Sequence, residues 1–278
     1  MNSSGIWDRA AGSYLVEVEN TAYLPLRDFM ANEMSALERL LAKVANGKEG
    51  ISIVEIGCGT GRVLSNISPN PELLNRLVCA IGVDKSWPMI EVARKNLQKT
   101  NSRFLAEKTS FLLMDATDLR RFFPDGDVRS RVIGSLPMNN DVLHIVRTKY
   151  KSSRKIVCCL LNTIGIVSAN ARATLIDNMV ACAGSKGILV VSVFSHRAFK
   201  KHAPLLYGSM PGVIGERGLR REYFNFKSAT FSAKSYYSHW FKNEEITNLL
   251  TEHGCKLVRH VELANMGALF TARVDHRS

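Results

Sequence analysis

Ile51-Ser-Ile-Val-Glu-Ile-Gly-Cys-Gly-Thr-Gly-Arg-Val-Leu64 is the stretch that decides the fold. Ile51, Ile53, Val54 and Ile56 read as a buried strand, with Glu55 near its end. Gly57, Gly59 and Gly61 then alternate, and the residues from Arg62 to Ile67 begin a helical pattern. A strand, a glycine turn and a helix start, in that order, make a place where a ligand can press against bare backbone.

The spacing narrows the ligand. A dinucleotide-binding turn has Gly-x-Gly-x-x-Gly, whose third glycine here would be residue 62, which is Arg62. The pattern present is Glu-x-Gly-x-Gly-x-Gly, and it resembles motif I of the class I S-adenosylmethionine-dependent methyltransferases. That resemblance implies an α/β fold: a Rossmann-like, seven-stranded, mostly parallel sheet with helices on both faces. It also implies S-adenosylmethionine as cofactor, S-adenosylhomocysteine as product, and no metal. The turn around Glu55, Gly57, Cys58, Gly59 and Gly61 would lie against the methionine part of the cofactor, with amides at the helix start meeting its carboxylate.

Downstream residues extend the match. Residues 77–83 form a second strand ending in Asp84, which lies 23 residues beyond Gly61. A carboxylate there can accept from both ribose hydroxyls. Lys85-Ser-Trp-Pro-Met89 opens a helix, with Pro88 near its first turn. By the resemblance, Lys85 and Met89 adjoin the nucleoside, Met89 against the adenine. A third strand at 110–114 is followed by Asp115-Ala116, which the family pattern assigns to the adenine amino group and ring. Asp118 suits a helix cap.

The middle of the chain is less regular. A turn at 124–127, a short strand or loop at 132–137 and a helix at 139–150 precede an exposed basic link at 151–155. The fourth strand at 156–161 ends in Asn162-Thr-Ile-Gly165. Ligands gather at the carboxyl ends of strands in such sheets, which places Leu161 by the cofactor, Asn162 near the transferred methyl and Thr163 by the substrate. A helix at 169–183 and a fifth strand at 188–194 follow. Beyond them a long polar, glycine-containing excursion to about residue 218 reads as a lid over the site. It carries His196, His202 and Tyr207.

Both ends complete the plan. Residues 6–46 read as helical, broken at Pro25; the resemblance implies an N-terminal lid whose Tyr14 faces the cofactor, the alternative being that Tyr14, like Tyr23, packs the helices onto the domain. Residues 222–232 suggest a strand, and an aromatic run at 236–241 could cage a cationic substrate through Tyr237 and Trp240, beside His239. A helix at 242–250 and strands at 256–263 and 268–274 close the chain, giving a seven-stranded sheet with one antiparallel edge. No repeat or linker is visible. The expected organisation is one domain: lid 1–46, cofactor-binding core 47–194, and substrate lid with the last strands 195–278.

Composition bounds the rest. There is no apolar run of the ~18 residues a span needs and no apolar core in the first residues, so a cytoplasmic chain without a membrane partner is expected. Six cysteines, none in a Cys-x-x-Cys pair, read as buried free thiols rather than metal ligands or disulfides. The formal charge is +12, with Arg147, Lys149, Lys151, Arg154 and Lys155 crowded together. Asn-Pro-Pro-Tyr and Pro-Cys steps and paired glutamates of the arginine-methylating type are absent. The expected activity is methyl transfer to a small metabolite, with nitrogen favoured over oxygen. Asn162 would orient the acceptor, and His196 or His239 would act as base. An RNA methyltransferase and a non-catalytic cofactor-binding subunit are the alternatives; the oligomeric state is left open.

Overall fold

A computed structural model describes residues 4–67, 71–100, 103–116 and 152–275. The seven-stranded sheet has the order β3-β2-β1-β4-β5-β10-β9. Its strands are β1 (Ile51–Ile56), β2 (Leu77–Asp84), β3 (Thr109–Leu113), β4 (Arg154–Cys159), β5 (Ile188–Phe194), β9 (Cys255–Leu263) and β10 (Gly267–Val274). β1 to β5 pair in parallel, and every residue of β1 and β5 is buried, as continuous apolar runs require. The reversed strand is β10, which pairs antiparallel with both β5 and β9. It therefore lies one place in from the edge, not at the edge, because the short turn after β9 sends the chain back between β9 and β5.

Each face of the sheet has its own core. One is built on the helices Ala169–Ala183 and Asn243–Glu252, through Leu175, Ile176, Met179, Ile246 and Leu250. The other packs the N-terminal helices Ser4–Tyr14 and Leu24–Ala45, the Trp87–Gln98 helix, and the chain after β5 against the sheet.

Several expectations change on this face. The Leu24–Ala45 helix contains Pro25 in its first turn, where a missing N–H costs nothing; the break falls before it, between a π-type turn at Leu15–Glu19 and Tyr23. The excursion after β5 is mostly helical: His196–Gly208 and then Pro211–Ile214. Ala198, Phe199, His202, Ala203, Leu206 and Tyr207 form its buried stripe at helical spacing. Residues 222–232 are not one strand. They fold into the hairpin of β6 (Phe224–Asn225) and β7 (Thr230–Ala233), which joins β8 (Tyr236–His239) in a separate three-stranded sheet. Arg154 and Lys155 begin β4 rather than an exposed link, and Arg154 pairs with Glu49 at 3.0 Å. Asp118, the segments at 124–127, 132–137 and 139–150, and Arg147, Lys149 and Lys151 lie outside the described residues.

The β9–β10 turn depends on a close approach. A Cβ on Gly267 would lie 2.1 Å from the Val193 carbonyl oxygen and 2.6 Å from the Phe29 ring. Backbone cannot yield cheaply there. Gly267→Ala is expected to lower unfolding free energy by about 3 kcal/mol in urea titration; an unchanged midpoint would show that β5 and β10 can separate.

Candidate functional site

The glycine turn sits at the carboxyl ends of β1 and β2. Gly57, Gly59 and Gly61 all have positive φ (66°, 51° and 76°), which side chains rarely adopt. Their surroundings differ. A Cβ on Gly57 would meet the Thr163 methyl at 2.5 Å, and one on Gly61 would meet Phe111 at 2.8 Å and Ala93 at 3.0 Å. A Cβ on Gly59 would have only the Tyr14 ring near it, at 4.0 Å. Gly57 and Gly61 are thus packing glycines, while Gly59 faces an open cradle beneath Tyr14.

Asp84 locks this turn. Its carboxylate accepts the Gly59 N–H at 2.9 Å through one oxygen and the Ser86 N–H at 2.9 Å through the other. Burial raises its pKa, opposed by these two amides and by Lys85. A carboxylate has about four acceptor positions, and the Gly59, Ser86 and Lys85 amides take three, so capacity remains for a ligand's hydroxyl. The amides of Gly57 and Cys58 both donate to the Val83 carbonyl, and that of Gly61 to Cys58. These three amides are already satisfied within the turn, which leaves the expected carboxylate contact to amides of the helix that starts at Arg62. Cys58 itself is buried, with Sγ packed over Gly82, and burial pushes its thiol up; it offers the site no side chain.

A cluster of carboxylates surrounds the cradle. Glu33, from the middle of the Leu24–Ala45 helix, is fully buried. It accepts from the Arg62 guanidinium, the Ser192 hydroxyl and, at 2.8 Å, the Leu161 N–H. Glu19 accepts from the Thr60 hydroxyl, and its pKa is raised by burial. Glu55 is 4% exposed; its Oε2 has no hydrogen-bond partner, and burial raises its pKa well above the usual carboxylate value, with Arg62 opposing. Four carboxylates (Glu19, Glu33, Glu55 and Asp84) thus meet one guanidinium, Arg62, among the described residues. Such a bay favours a cationic ligand.

Glu33 and Glu19 were not anticipated from the sequence, yet Glu33 left a signal. It lies four residues after Phe29 and four before Leu37, on the buried stripe of its helix. An acid in that position must have a partner.

Aromatic side chains roof the bay. Tyr14 is half-buried, with its phenol pKa raised by burial and by Glu19. Trp7 stands edge-on to Tyr14 (6.4 Å between centroids) and to Tyr236 (6.0 Å). Strand alternation then turns Tyr237 and His239 to the opposite face from Tyr236 and Ser238. Tyr236, not Tyr237, is therefore the β8 aromatic beside Tyr14 and Trp7.

Two of the expected substrate contacts lie in the core, and the expected nucleoside contacts flank Asp84, the Met114 N–H donating to the Asp84 carbonyl at 2.8 Å. Tyr207 and Trp240 are core residues, 1% and 0% exposed, joined by a Trp240 N–H to Tyr207 hydroxyl hydrogen bond of 2.7 Å. Met89 is buried at 1%, whereas its neighbour Trp87 is partly exposed under the Arg94 guanidinium. Asp115 is exposed just beyond β3, and the Ala116 carbonyl accepts from Asn178 at 3.0 Å.

Asn162 is a buried bracket. Its side-chain NH2 donates to Ser238 Oγ and the His239 carbonyl, both at 3.2 Å, and its Oδ1 accepts the Phe194 N–H at 3.1 Å. It ties the ends of β4, β5 and β8 together, leaving little of its amide for an acceptor. Leu161 and Asn162 both have positive φ (50° and 58°), a strained pair held by these bonds. His239 contacts Glu245 at 2.8 Å, and burial lowers its pKa. The charged groups acting on it are Glu245, Arg172 and His196, none of them in the glycine bay. His196 itself reaches the Lys227 carbonyl at 3.3 Å. The two histidines are near one another but separate from the carboxylate cluster.

Breaking the Glu33 cluster leaves a buried charge unpaired. Glu33→Gln is expected to cost about 3–5 kcal/mol in chemical denaturation, and the double change Glu33→Met with Arg62→Met to recover part of it. A double-variant loss equal to the sum of the losses from the two single changes to Met would mean that the two side chains act independently.

Residues 53–140 match a family model described as a methyltransferase domain. No curated protein sequence matches the chain. Solved structures do. Magnesium protoporphyrin IX methyltransferase from Synechocystis, with S-adenosylhomocysteine bound, is 13% identical, with 98% of this chain and 99% of that one covered at a TM-score of 0.58. The 1,6-didemethyltoxoflavin N1-methyltransferase of Burkholderia thailandensis is 11% identical (96% and 87% covered, TM-score 0.53). The N-methyltransferase NodS of Bradyrhizobium japonicum is 16% identical (97% and 100% covered, TM-score 0.51). With this sheet order the chain has the fold of the class I S-adenosylmethionine-dependent methyltransferases, and its residues 53–140 are similar to a methyltransferase domain.

Proposed function

We propose that the protein transfers the methyl group of S-adenosylmethionine to a nitrogen of a small molecule. The observation that carries the reading is the open side of Gly59, framed by Tyr14 above and the Asp84 carboxylate beside it. The residues present fit the cofactor. Asp84 has acceptor capacity left for a ribose hydroxyl, and Glu55 Oε2 is a buried oxygen without a donor. The excess of carboxylate over guanidinium suits a ligand bearing a sulfonium and an ammonium. Bound there, S-adenosylmethionine supplies an electrophilic methyl on its sulfonium.

What the chain adds is position and exclusion of water. Glu19 draws the N-terminal segment onto Thr60, and Glu33 holds the Leu24–Ala45 helix against Arg62 and Leu161. Trp7, Tyr14 and Tyr236, whose rings meet edge to face, would supply aromatic neighbours for the acceptor. Alignment of the acceptor lone pair lowers the barrier by several kcal/mol without a covalent role for the enzyme. Nitrogen is favoured because an amine already carries its nucleophilic lone pair when neutral, while a hydroxyl profits from a base. The imidazoles of His196 and His239 are engaged away from the bay, so they are not assigned as base; Asn162 is assigned a positioning role. Two of the compared enzymes are named N-methyltransferases, and the proposal puts this chain's acceptor in the same chemical class.

Calorimetry tests the cofactor site. Asp84→Ala should weaken S-adenosylmethionine binding by about 1–3 kcal/mol through lost charge-assisted hydrogen bonds. Gly59→Val should abolish it by filling the cradle. Unchanged affinity in both removes the bay from consideration. Labelled S-adenosylmethionine offered to mixed small amines, small alcohols and phenols, and RNA should label the amines; label found only in RNA or on oxygen would overturn the acceptor assignment.

A further inference from the structure

The surface of the lid carries a feature that methyl transfer does not use. Between residues 195 and 242 there are nine Lys and Arg against two Glu, a net +7 of the chain's formal +12. Both glutamates are paired: Glu216 with Lys234 at 3.3 Å and Glu222 with Arg220 at 3.6 Å. The His196–Gly208 helix presents Arg197, Lys200 and Lys201 on its exposed side, with no acidic partner among the described residues. Arg197, Lys201 and Leu205 are spaced four apart and form one line along that side. Leu205 is 61% exposed at the end of the line.

A second exposed leucine stands beside it. Tyr23 hydrogen-bonds through its hydroxyl to His202 Nδ1 at 2.7 Å, which brings the start of the Leu24–Ala45 helix against the turn that carries Leu205. Leu24 is 54% exposed there, followed by exposed Arg27 and Asp28. Val16, 68% exposed, precedes Glu17, whose carboxylate caps the Gly212 and Val213 amides at 3.0 and 2.9 Å. The exposed large apolar residues described are Val16, Leu24, Leu205 and Val258, so all but one lie on the two segments that form the lid.

We infer that this face of the lid docks on an anionic lipid bilayer surface. The apolar stripe of this helix stays in the protein core, so the contact is made by its outer side: basic side chains meet lipid phosphates, and the isolated leucines of the two helices reach the acyl boundary. No described helix is long and apolar enough to cross a membrane, so the contact is with the surface and does not span it. The sequence reading expected no membrane partner from the lack of a span, a criterion that does not bear on a surface contact. The inference stands apart from methyl transfer, since docking requires neither cofactor nor acceptor.

Sedimentation with vesicles tests it on the 278-residue chain. Binding is expected to vesicles of phosphatidylcholine with 30 mol% phosphatidylglycerol, at about 0.1 M salt, and to be lost with phosphatidylcholine alone. Arg197→Gln with Lys201→Gln should lower the partition coefficient by roughly 25-fold, at about fivefold per basic residue. Leu24→Ser with Leu205→Ser should lower it by about tenfold while leaving the circular dichroism spectrum and urea midpoint unchanged. Because these leucines are exposed, the variants are expected to fold. Failure of the wild type to bind the anionic vesicles would overturn the inference. So would leucine variants that bind as well as wild type, or basic variants that lose only affinity for a single-stranded RNA probe, since a nucleic-acid surface needs the charges and not the leucines.

Discussion

The structure turns on a buried carboxylate. Glu33 is fully excluded from water on a helix otherwise packed through Phe29, Met30 and Leu37. Such a charge is tolerable only with several donors, and it has three: the Arg62 guanidinium from the helix after the glycine turn, the Leu161 amide from the end of β4, and the Ser192 hydroxyl from β5. An N-terminal element, the glycine turn and two central strands are thereby held at one point. Leu161 N–H also donates to Ser192 Oγ at 2.8 Å, so the donors are linked to one another. The lid is consequently fixed to the sheet by directional bonds as well as by apolar packing.

The same logic applies at the end of β4. Two successive residues in left-handed conformation would not persist in a free loop. Here Leu161 is held through its amide by Glu33, and Asn162 through its side chain by Phe194, Ser238 and the His239 carbonyl. Gly165 leaves the room for this, since a Cβ there would lie 2.3 Å from the Asn162 amide nitrogen. The chain then places Thr163 against Gly57, so the glycine turn is shaped from both neighbouring strands. The backbone here is over-determined, and the Asn162 side chain at its centre has both polar atoms bonded within the fold.

Much of this was legible in the residues. The helix Ala169–Ala183 and strand Ile188–Phe194 fall where apolar periodicity predicts, because each lies in a core that rewards that periodicity alone. The glycine turn and Asp84 were equally readable, since close approach and carboxylate placement leave few substitutes. What stayed hidden were pairings across long sequence distances. Nothing local in residues 222–239 distinguishes one long strand from a hairpin joining a second sheet, and nothing near Tyr236 and Tyr237 says which faces Tyr14. Asn162 looked available for chemistry because its partners, Phe194 and Ser238, come from distant elements. Trp240 reads in sequence as part of a substrate cage and Tyr207 as a residue of the excursion after the fifth strand, yet their mutual hydrogen bond satisfies both polar tips and lets the pair bury completely.

The lid therefore has two faces with different physics: carboxylates and aromatic rings inward, basic residues and isolated leucines outward. On the proposed function, the inward face covers a cofactor seated on Gly59 and Asp84. Hydrogen–deuterium exchange with and without S-adenosylhomocysteine tests it most directly. Added ligand should slow exchange in peptides covering residues 4–20, 56–62 and 84–90 together, leaving β9 unaffected. Exchange that is unchanged in the first three regions, with protection appearing instead around His196 and His239, would contradict it.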